Sequence, residues 1–301
     1  MIPQTFRERY SSLVDDEDAF LSSLQRLLPK SFRVNTLKSS ADEIKARFAG
    51  YGIEIRQMPW YADAFVSADP DIGSTLEHFL GKIYAQELVS MIPPLIVRKE
   101  LEKARFVLDG CAAPGSKTTQ LAALMENRNT IVANDISYAR IKALQFNLQK
   151  AGALNTIITN QDLRFFPNRQ FDVILLDAPC SSEGIMRKND KLFRTWNEKK
   201  IFGHSRLQKQ LIVKAFDLLK EGGVMAYSTC TFAPEENEEV VGYLLSKRDA
   251  KIEKIELPGF KFSRGTTEWR EKQYPSEVEQ CCRVWPQHND TGGFFVARIT
   301  K

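Results

Sequence analysis

The sequence predicts an α/β protein in two parts: a doubly wound parallel sheet over the larger C-terminal part, preceded by a small separate α/β unit. Three observations predict it. From Arg105 onward, apolar strand-like runs alternate with amphipathic helical stretches, as a sheet covered on both faces requires. Before that point the segments are shorter and switch between helical and alternating periods. Between the two parts lies a segment interrupted at Pro93-Pro94.

Taken in order, Phe20, Leu21, Leu24, Leu27 and Leu28 follow helical spacing and stop at Pro29. Ser31 to Leu37 alternates like a strand. Ser40 with Glu43 forms a capping-box pattern for a helix carrying Ile44 and Phe48, and Gly50 and Gly52 suit its end. Ile53 to Arg56 alternates again, and Gly81 to Tyr84 reads as a last short strand. Glu87 to about Lys99 reads as a linking helix, interrupted or restarted at the prolines. The division is placed between 1–95 and 96–301. The later strands are expected at Phe106–Leu108, Thr130–Ala133, Thr156–Ile158, Phe171–Leu176 and Val224–Tyr227. One helix face carries Ile141, Leu144 and Leu148, and another carries Leu207, Leu211, Ala215 and Leu218. No repeat or low-complexity tract interrupts them.

Composition narrows the function classes. With 43% hydrophobic and 27% charged residues the chain reads as an ordinary globular protein. A net charge of +4 is compatible with a nucleic-acid partner without requiring one. No apolar run is long enough to span a bilayer, and the N-terminus lacks a signal-peptide core, so a cytoplasmic protein is expected. The five cysteines (Cys111, Cys180, Cys230, Cys281, Cys282) include no Cys-x-x-Cys pair, and the three histidines do not cluster. A metal site or a secreted disulfide framework is therefore not expected. Cys281 and Cys282 read as small buried residues, although a vicinal pair can oxidise.

Doubly wound sheets bind ligands beyond the carboxyl ends of their strands. The first of these strands is followed by Asp109 to Thr118, a stretch of small residues leading into a helix. Neither a P-loop nor a Gly-x-Gly-x-x-Gly pattern is present, which disfavours a dinucleotide oxidoreductase. The second strand ends at Asn134-Asp135, where an acid can accept from ribose hydroxyls, and the third leads to Gln161-Asp162. Each acid alone reads as a solvated loop carboxylate or helix cap. At successive strand ends they point to a nucleoside-containing cofactor. The fourth strand ends in Asp177-Ala178-Pro179-Cys180, and the fifth runs into Ser228-Thr229-Cys230-Thr231. If those strands are neighbours, both thiols face one pocket. A thiolate there is a candidate nucleophile, against the plainer reading of two packing residues.

These segments resemble the signature motifs of the RNA 5-methylcytosine methyltransferases, the NOL1/NOP2/Sun (Nsun) family. Asp109–Thr118, Asp177–Gly184 and Ser228–Thr231 carry the resemblance. Tyr84–Met91, Ser31–Leu37 and Thr291–Ala297 extend it, in the right order, from about Phe32 to Ala297. Ser116 departs from the pattern, where the family more often has a second glycine. The resemblance implies a Rossmann-like domain that binds S-adenosyl-L-methionine, preceded by a small RNA-recognition-like domain. Cys111, Ala112, Ala113, Pro114, Gly115, Ser116 and Lys117 would line the methionine side. Asp135 would hold the ribose, with Arg140 fixing the cofactor or Asp135. Asp162 would lie near the adenine amine, Asp177 would contact the cofactor close to the reacting centre, and Pro179 would also contact the cofactor. Cys230 would be the nucleophile and Cys180 the residue that assists release. Spacing alone leaves that choice open, since Pro179-Cys180 also resembles the nucleophile site of DNA cytosine methyltransferases; Thr229-Cys230-Thr231 favours the RNA family.

The implied reaction is methylation of cytosine C5 in RNA. The layout is similar to compact archaeal-type tRNA enzymes, so a monomeric tRNA methyltransferase is expected. An rRNA methyltransferase or a catalytically silent RNA-binding scaffold is the alternative. RNA contacts are expected from Arg7, Arg9, Lys30, Arg33 and Lys38 in the first unit. The mixed basic and aromatic stretch Arg187–Trp196 is a second candidate, although packing on the core is the simpler reading of Trp196.

Overall fold

Phe32, Val34 and Phe65 form one apolar face of a four-stranded antiparallel sheet, ordered β2-β3-β1-β4. Its strands are β1 (Lys30–Val34), β2 (Ile55–Met58), β3 (Tyr61–Ser67) and β4 (Ile83–Ala85). Helix α3 (Ala41–Gly50) covers that face with Ile44 and Phe48, both fully buried, each contributing about 1.5–3 kcal/mol. The structure, a computed structural model, describes residues 2–301. Ser40 caps α3 by accepting from Glu43 N–H, but the Glu43 carboxylate turns to Ser39 and Lys82. Only half of the expected capping box forms. Strand β3 was not expected from the sequence: Ala62-Asp63-Ala64 breaks the apolar alternation, yet the strand pairs on both sides. The strand expected from Gly81 starts at Ile83, because Gly81 adopts φ +72° and lies against the carbonyl of Lys150, where a Cβ would sit 2.0 Å away.

Two helices precede this sheet, α1 (Gln4–Tyr10) and α2 (Glu17–Gln25). Helix α2 stops before Leu27, which is 89% exposed and belongs to no helix face. Neither helix packs on the small sheet. Phe6, Tyr10, Phe20, Leu21 and Leu24 join Met186, Phe193, Phe232, Trp269 and Trp285 in one aromatic-rich cluster. After α4 (Leu76–Phe79), the expected linking helix is broken into a turn at Val89–Met91, then α5 (Ile92–Ile96) and α6 (Arg98–Leu101). Pro93 and Pro94 stand in the first turn of α5, where their missing N–H groups cost nothing.

The main sheet contains parallel strands β5 (Phe106–Asp109), β6 (Thr130–Asn134), β7 (Thr156–Thr159), β8 (Phe171–Asp177) and β9 (Leu219–Thr229). They are ordered β7-β6-β5-β8-β9, and antiparallel strands Phe294–Thr300 and Cys282–Val284 continue the sheet beyond β9. Helices α7 (Ser116–Leu124) and α8 (Tyr138–Ala151) follow β5 and β6. After α9 (Lys191–Thr195) come α10 (Glu198–Asp217) and α11 (Glu238–Leu245). Leu121 and Ala122 of α7 pack with Val107, Ile131 and Val173, while Leu211, Ile212 and Val241 pack with Leu108, Ile174 and Met225. The two sets alternate along the strands, so both sheet faces are covered. Cys281 and Cys282 separate into different core clusters and are free. Among the described residues no helix is long and apolar enough to cross a membrane.

Candidate active site

Strands β8 and β9 are hydrogen-bonded neighbours with Asp177 opposite Ser228. The two loops that follow them therefore leave the sheet side by side. Their thiols meet: Cys180 Sγ lies 3.2 Å from Cys230 Sγ. Both cysteines are half-buried and line a cavity of about 410 Å³ at the carboxyl ends of the strands, a size suited to a nucleoside-sized ligand. In sheet order, the walls carry Asp162 after β7, Asp135 and Arg140 after β6, and Cys111 after β5. Asp177 ends β8, Pro179 and Cys180 follow it, and Cys230 follows β9.

Each carboxylate has a fixed setting. Asp135, 2% exposed, accepts from the N–H groups of Ser137 (2.9 Å) and Ala113 (3.1 Å), and Arg140 pairs with it at 3.2 Å. Arg140 thus braces Asp135 and also bonds the Ala113 carbonyl. The Asp162 carboxylate is held by Arg164, which pulls its pKa down. Asp177 accepts from Ser228 Oγ (2.8 Å) and Lys117 Nζ (2.7 Å), one at each oxygen. Asp109 lies beneath the floor, fully buried, and burial pushes its carboxyl up to about 7. Cys180 is held well above the ordinary thiol range, first by its hydrogen bond with Cys230 and then by burial. Burial likewise raises Cys111.

Gly110 and Cys111 line the cavity, and the residues that follow them make contacts of their own. Ala112 and Ala113 turn away to pack against Ala133, Leu144 and Leu148, with Ala112 N–H bonded to the Asn134 carbonyl. Pro114 is exposed, its carbonyl accepting from Asn147. Gly115 (φ +107°) and Ser116 begin α7, and a Cβ at Gly115 would lie 2.9 Å from Leu144. Small residues are thus required here for helix packing. Lys117 is 6% exposed and points to Asp177 and Ser90, so its first contact is with the carboxylate.

The expected RNA-contacting cations also need correction. Arg33 is fully buried, bonding Gln86 Oε1 and Thr119 Oγ1 at 3.0 Å. Asn35 reaches the carbonyls of Gly81 and Ala151. The Arg33-Val34-Asn35 element therefore stitches the small sheet to α7 and α8. Arg9 is buried in ion pairs with Glu198 and Glu235. Arg187 is buried against the carbonyls of Arg26, Leu27 and Thr291 and the Asp290 carboxylate. Buried guanidinium groups satisfied this way hold chain segments together and are not available to phosphates. Arg7, Lys30, Lys188, Lys191 and Arg194 are exposed. Lys38 is exposed too, but its amine is tied to the carbonyls of Leu80 and Lys150. Trp196 packs into the aromatic cluster, edge-on to Phe6.

Sequence reading missed the polar run Glu235-Glu236-Asn237-Glu238 altogether. All four are at most 3% exposed. Glu236 accepts from Ser181 N–H (3.0 Å) and Gln208 Nε2 (2.9 Å), and Gln208 also donates to the Pro179 carbonyl. Asn237 holds the Thr231 carbonyl (3.0 Å) and accepts from Thr229 (2.6 Å). Adjacent residues thus clamp the loops of both cysteines. Glu238 pairs with the buried Arg283. In sequence such a run reads as a solvated helix start, and the one available signal is its position four residues after the Cys230 motif.

Burial pushes Glu236 up to about 8, from an ordinary 4.5. The folded protein then binds this proton more tightly than the unfolded chain. The resulting stability is fully present below about pH 4.5 and is lost as pH rises through about 8. Glu236→Gln should flatten the decline in Tm between pH 5 and 8. A decline as steep as the parent's would show that Glu236 does not titrate in this way.

The fold and the cavity, with strand-end acids beside two rim thiols, define a methyltransferase of the Rossmann-like class. The chain belongs to the 16S rRNA methyltransferase RsmB/F family, which residues 97–300 match, while residues 2–88 match the N-terminal domain of 16S rRNA methyltransferase RsmF. It is 46% identical to a tRNA (cytosine(49)-C(5))-methyltransferase of Pyrococcus abyssi, over 98% of this chain and 94% of that protein. It is 38% identical to ribosomal RNA small subunit methyltransferase F of Vibrio parahaemolyticus, over 100% of this chain but 63% of the relative. The chain thus spans less than two thirds of that second relative. A solved structure of a methyltransferase homologue from Pyrococcus horikoshii superposes with a TM-score of 0.85 at 33% identity, covering 99% of this chain and 95% of the other.

Proposed function

We propose that this protein transfers a methyl group from S-adenosylmethionine to C5 of cytosine in RNA, with tRNA as the substrate. The observation that carries the reading is the pair of thiols 3.2 Å apart in the cavity that also holds Asp135, Asp162 and Asp177. The Pyrococcus abyssi relative, aligned over nearly its whole length, acts by its name on a tRNA cytosine. That match supports tRNA over rRNA.

The donor set suits the cofactor: acids at the ends of β6 and β7 for ribose hydroxyls and an amine, and the Cys111 segment between them and Asp177. When bound, S-adenosylmethionine supplies an electrophilic methyl group. The protein's own task is to make cytosine C5 a nucleophile. In this reading Cys230 adds through sulfur to C6, breaking the C5–C6 double bond and giving C5 enamine character. The thiol proton passes to N3, and Asp177, held by Lys117 and Ser228, accepts from N3–H and so eases that addition. After methylation C5 carries one proton too many. Cys180 assists its transfer to solvent; the sulfur–C6 bond then breaks, its electron pair returning to Cys230 as the N3 proton leaves, and the C5–C6 double bond is restored. A cytosine in folded RNA must be turned out of its stack to enter the cavity.

Asp135→Ala should weaken S-adenosylhomocysteine binding about 10- to 100-fold, the value of a charged hydrogen bond of ~1.5–3 kcal/mol. Calorimetry beside a melting curve checks this, and unchanged affinity removes Asp135 from the cofactor site. Bisulfite sequencing of unmodified cellular RNA treated with protein and cofactor tests the whole reading. Protected cytosines are expected in tRNA. Protection confined to rRNA would replace the substrate, and no protection in any RNA would overturn the activity.

A further inference from the structure

Glu183 sits three residues after Cys180 and is fully buried. Four donors from three distant parts of the chain converge on its carboxylate. The Tyr10 hydroxyl, on α1, lies 2.7 and 2.8 Å from its two oxygens. Trp196 Nε1 donates at 2.5 Å, Thr231 Oγ1 at 2.7 Å and Phe232 N–H at 3.1 Å. Thr231 and Phe232 are the two residues that follow Cys230. Thr231 Oγ1 is also 2.7 Å from Ser181 Oγ, beside Cys180, and Gly184 N–H donates to the Cys230 carbonyl at 2.8 Å. Arg9 Nε in turn bonds the Tyr10 hydroxyl at 3.2 Å. Burial, then Glu183, pushes that hydroxyl well up, so it stays a donor.

We propose that Glu183 is a positioning residue for Cys230, and that helix α1, through Tyr10, is part of the catalytic scaffold. This rests on the assignment of Cys230 as nucleophile. A buried carboxylate with four donors is satisfied in one arrangement, since any other leaves polar groups unpaired in a dry interior. Two of those donors belong to the loop of Cys230, so the arrangement sets where the thiol stands. Attack on C6 is sensitive to misplacement of about 1 Å, which costs on the order of a hundredfold in rate. Tyr10 connects this geometry to a helix that lies, in sequence, before the small sheet.

The test uses the full-length protein with two nearly isosteric substitutions. Thr231→Val keeps the side-chain shape but removes the hydroxyl shared by Glu183 and Ser181. Tyr10→Phe keeps the ring in the aromatic cluster. Each should lower kcat about 10- to 100-fold while KM for RNA and affinity for S-adenosylhomocysteine stay at the parent values. In a Cys180→Ala background, the RNA adduct should form more slowly by the same factor. Thr231→Ser should restore the rate. Lower Tm with parental kcat in both variants would overturn the proposal. Absence of any adduct in Cys180→Ala alone would instead overturn the nucleophile assignment, and the proposal with it.

Discussion

Cys230→Ala should abolish methylation, by several powers of ten, and should form no covalent bond with RNA. Without that sulfur, C5 is never activated. Cys180→Ala should behave differently: addition to C6 and methylation proceed, but release stalls and protein accumulates cross-linked to RNA. The link is a carbon–sulfur bond, so the band should survive denaturing electrophoresis and resist reducing agent. The thiols are 3.2 Å apart, so a shared disturbance would be expected if they merely packed. In that case both variants lose some stability and neither traps RNA. Both variants, run with cofactor and RNA on one gel, separate these outcomes. A trapped band from Cys230→Ala and none from Cys180→Ala would exchange the two roles.

Asp177→Ala should lower kcat by about 10²–10⁴, the range for a positioned proton donor or acceptor, with cofactor affinity much less affected. The carboxylate stands opposite Ser228, two residues before Cys230, and is held at one oxygen by Ser228 and at the other by Lys117. Two buried partners hold it in register with the thiols. Lys117→Met should lower kcat in the same direction but less, because Ser228 still holds one oxygen. Single-turnover rates at saturating RNA, compared with calorimetric cofactor affinity, distinguish this from a binding defect. An Asp177→Ala protein with the parent's kcat would remove the residue from the reaction.

The clustering of α1 and α2 changes how truncation experiments must be designed. Deleting the residues before Arg105 to test RNA binding would also remove Phe6, Tyr10 and Phe20 from the core around Trp285 and Phe232. It would leave Glu183 and Glu235 buried without Tyr10 and Arg9. Charge reversal at the exposed Arg7, Lys30 and Lys188 tests phosphate contacts without that damage.

The sequence by itself determined the alternation of apolar runs and helices, and hence the parallel sheet, because a strand buried on both faces must be apolar throughout. It also placed Asp135, Asp162, Asp177, Cys180 and Cys230 at or just after strand ends, since strand ends are local features. Tertiary structure decided which strands are neighbours, and so brought Cys180 and Cys230 together from fifty residues apart. It alone decided that Arg9, Arg33 and Arg187 face inward and that Glu183 and Glu235–Glu238 are buried. In sequence a charged side chain reads as solvated, because burying it unpaired is prohibitive. Only partners supplied by distant segments remove that penalty, and no local pattern records where those partners will be.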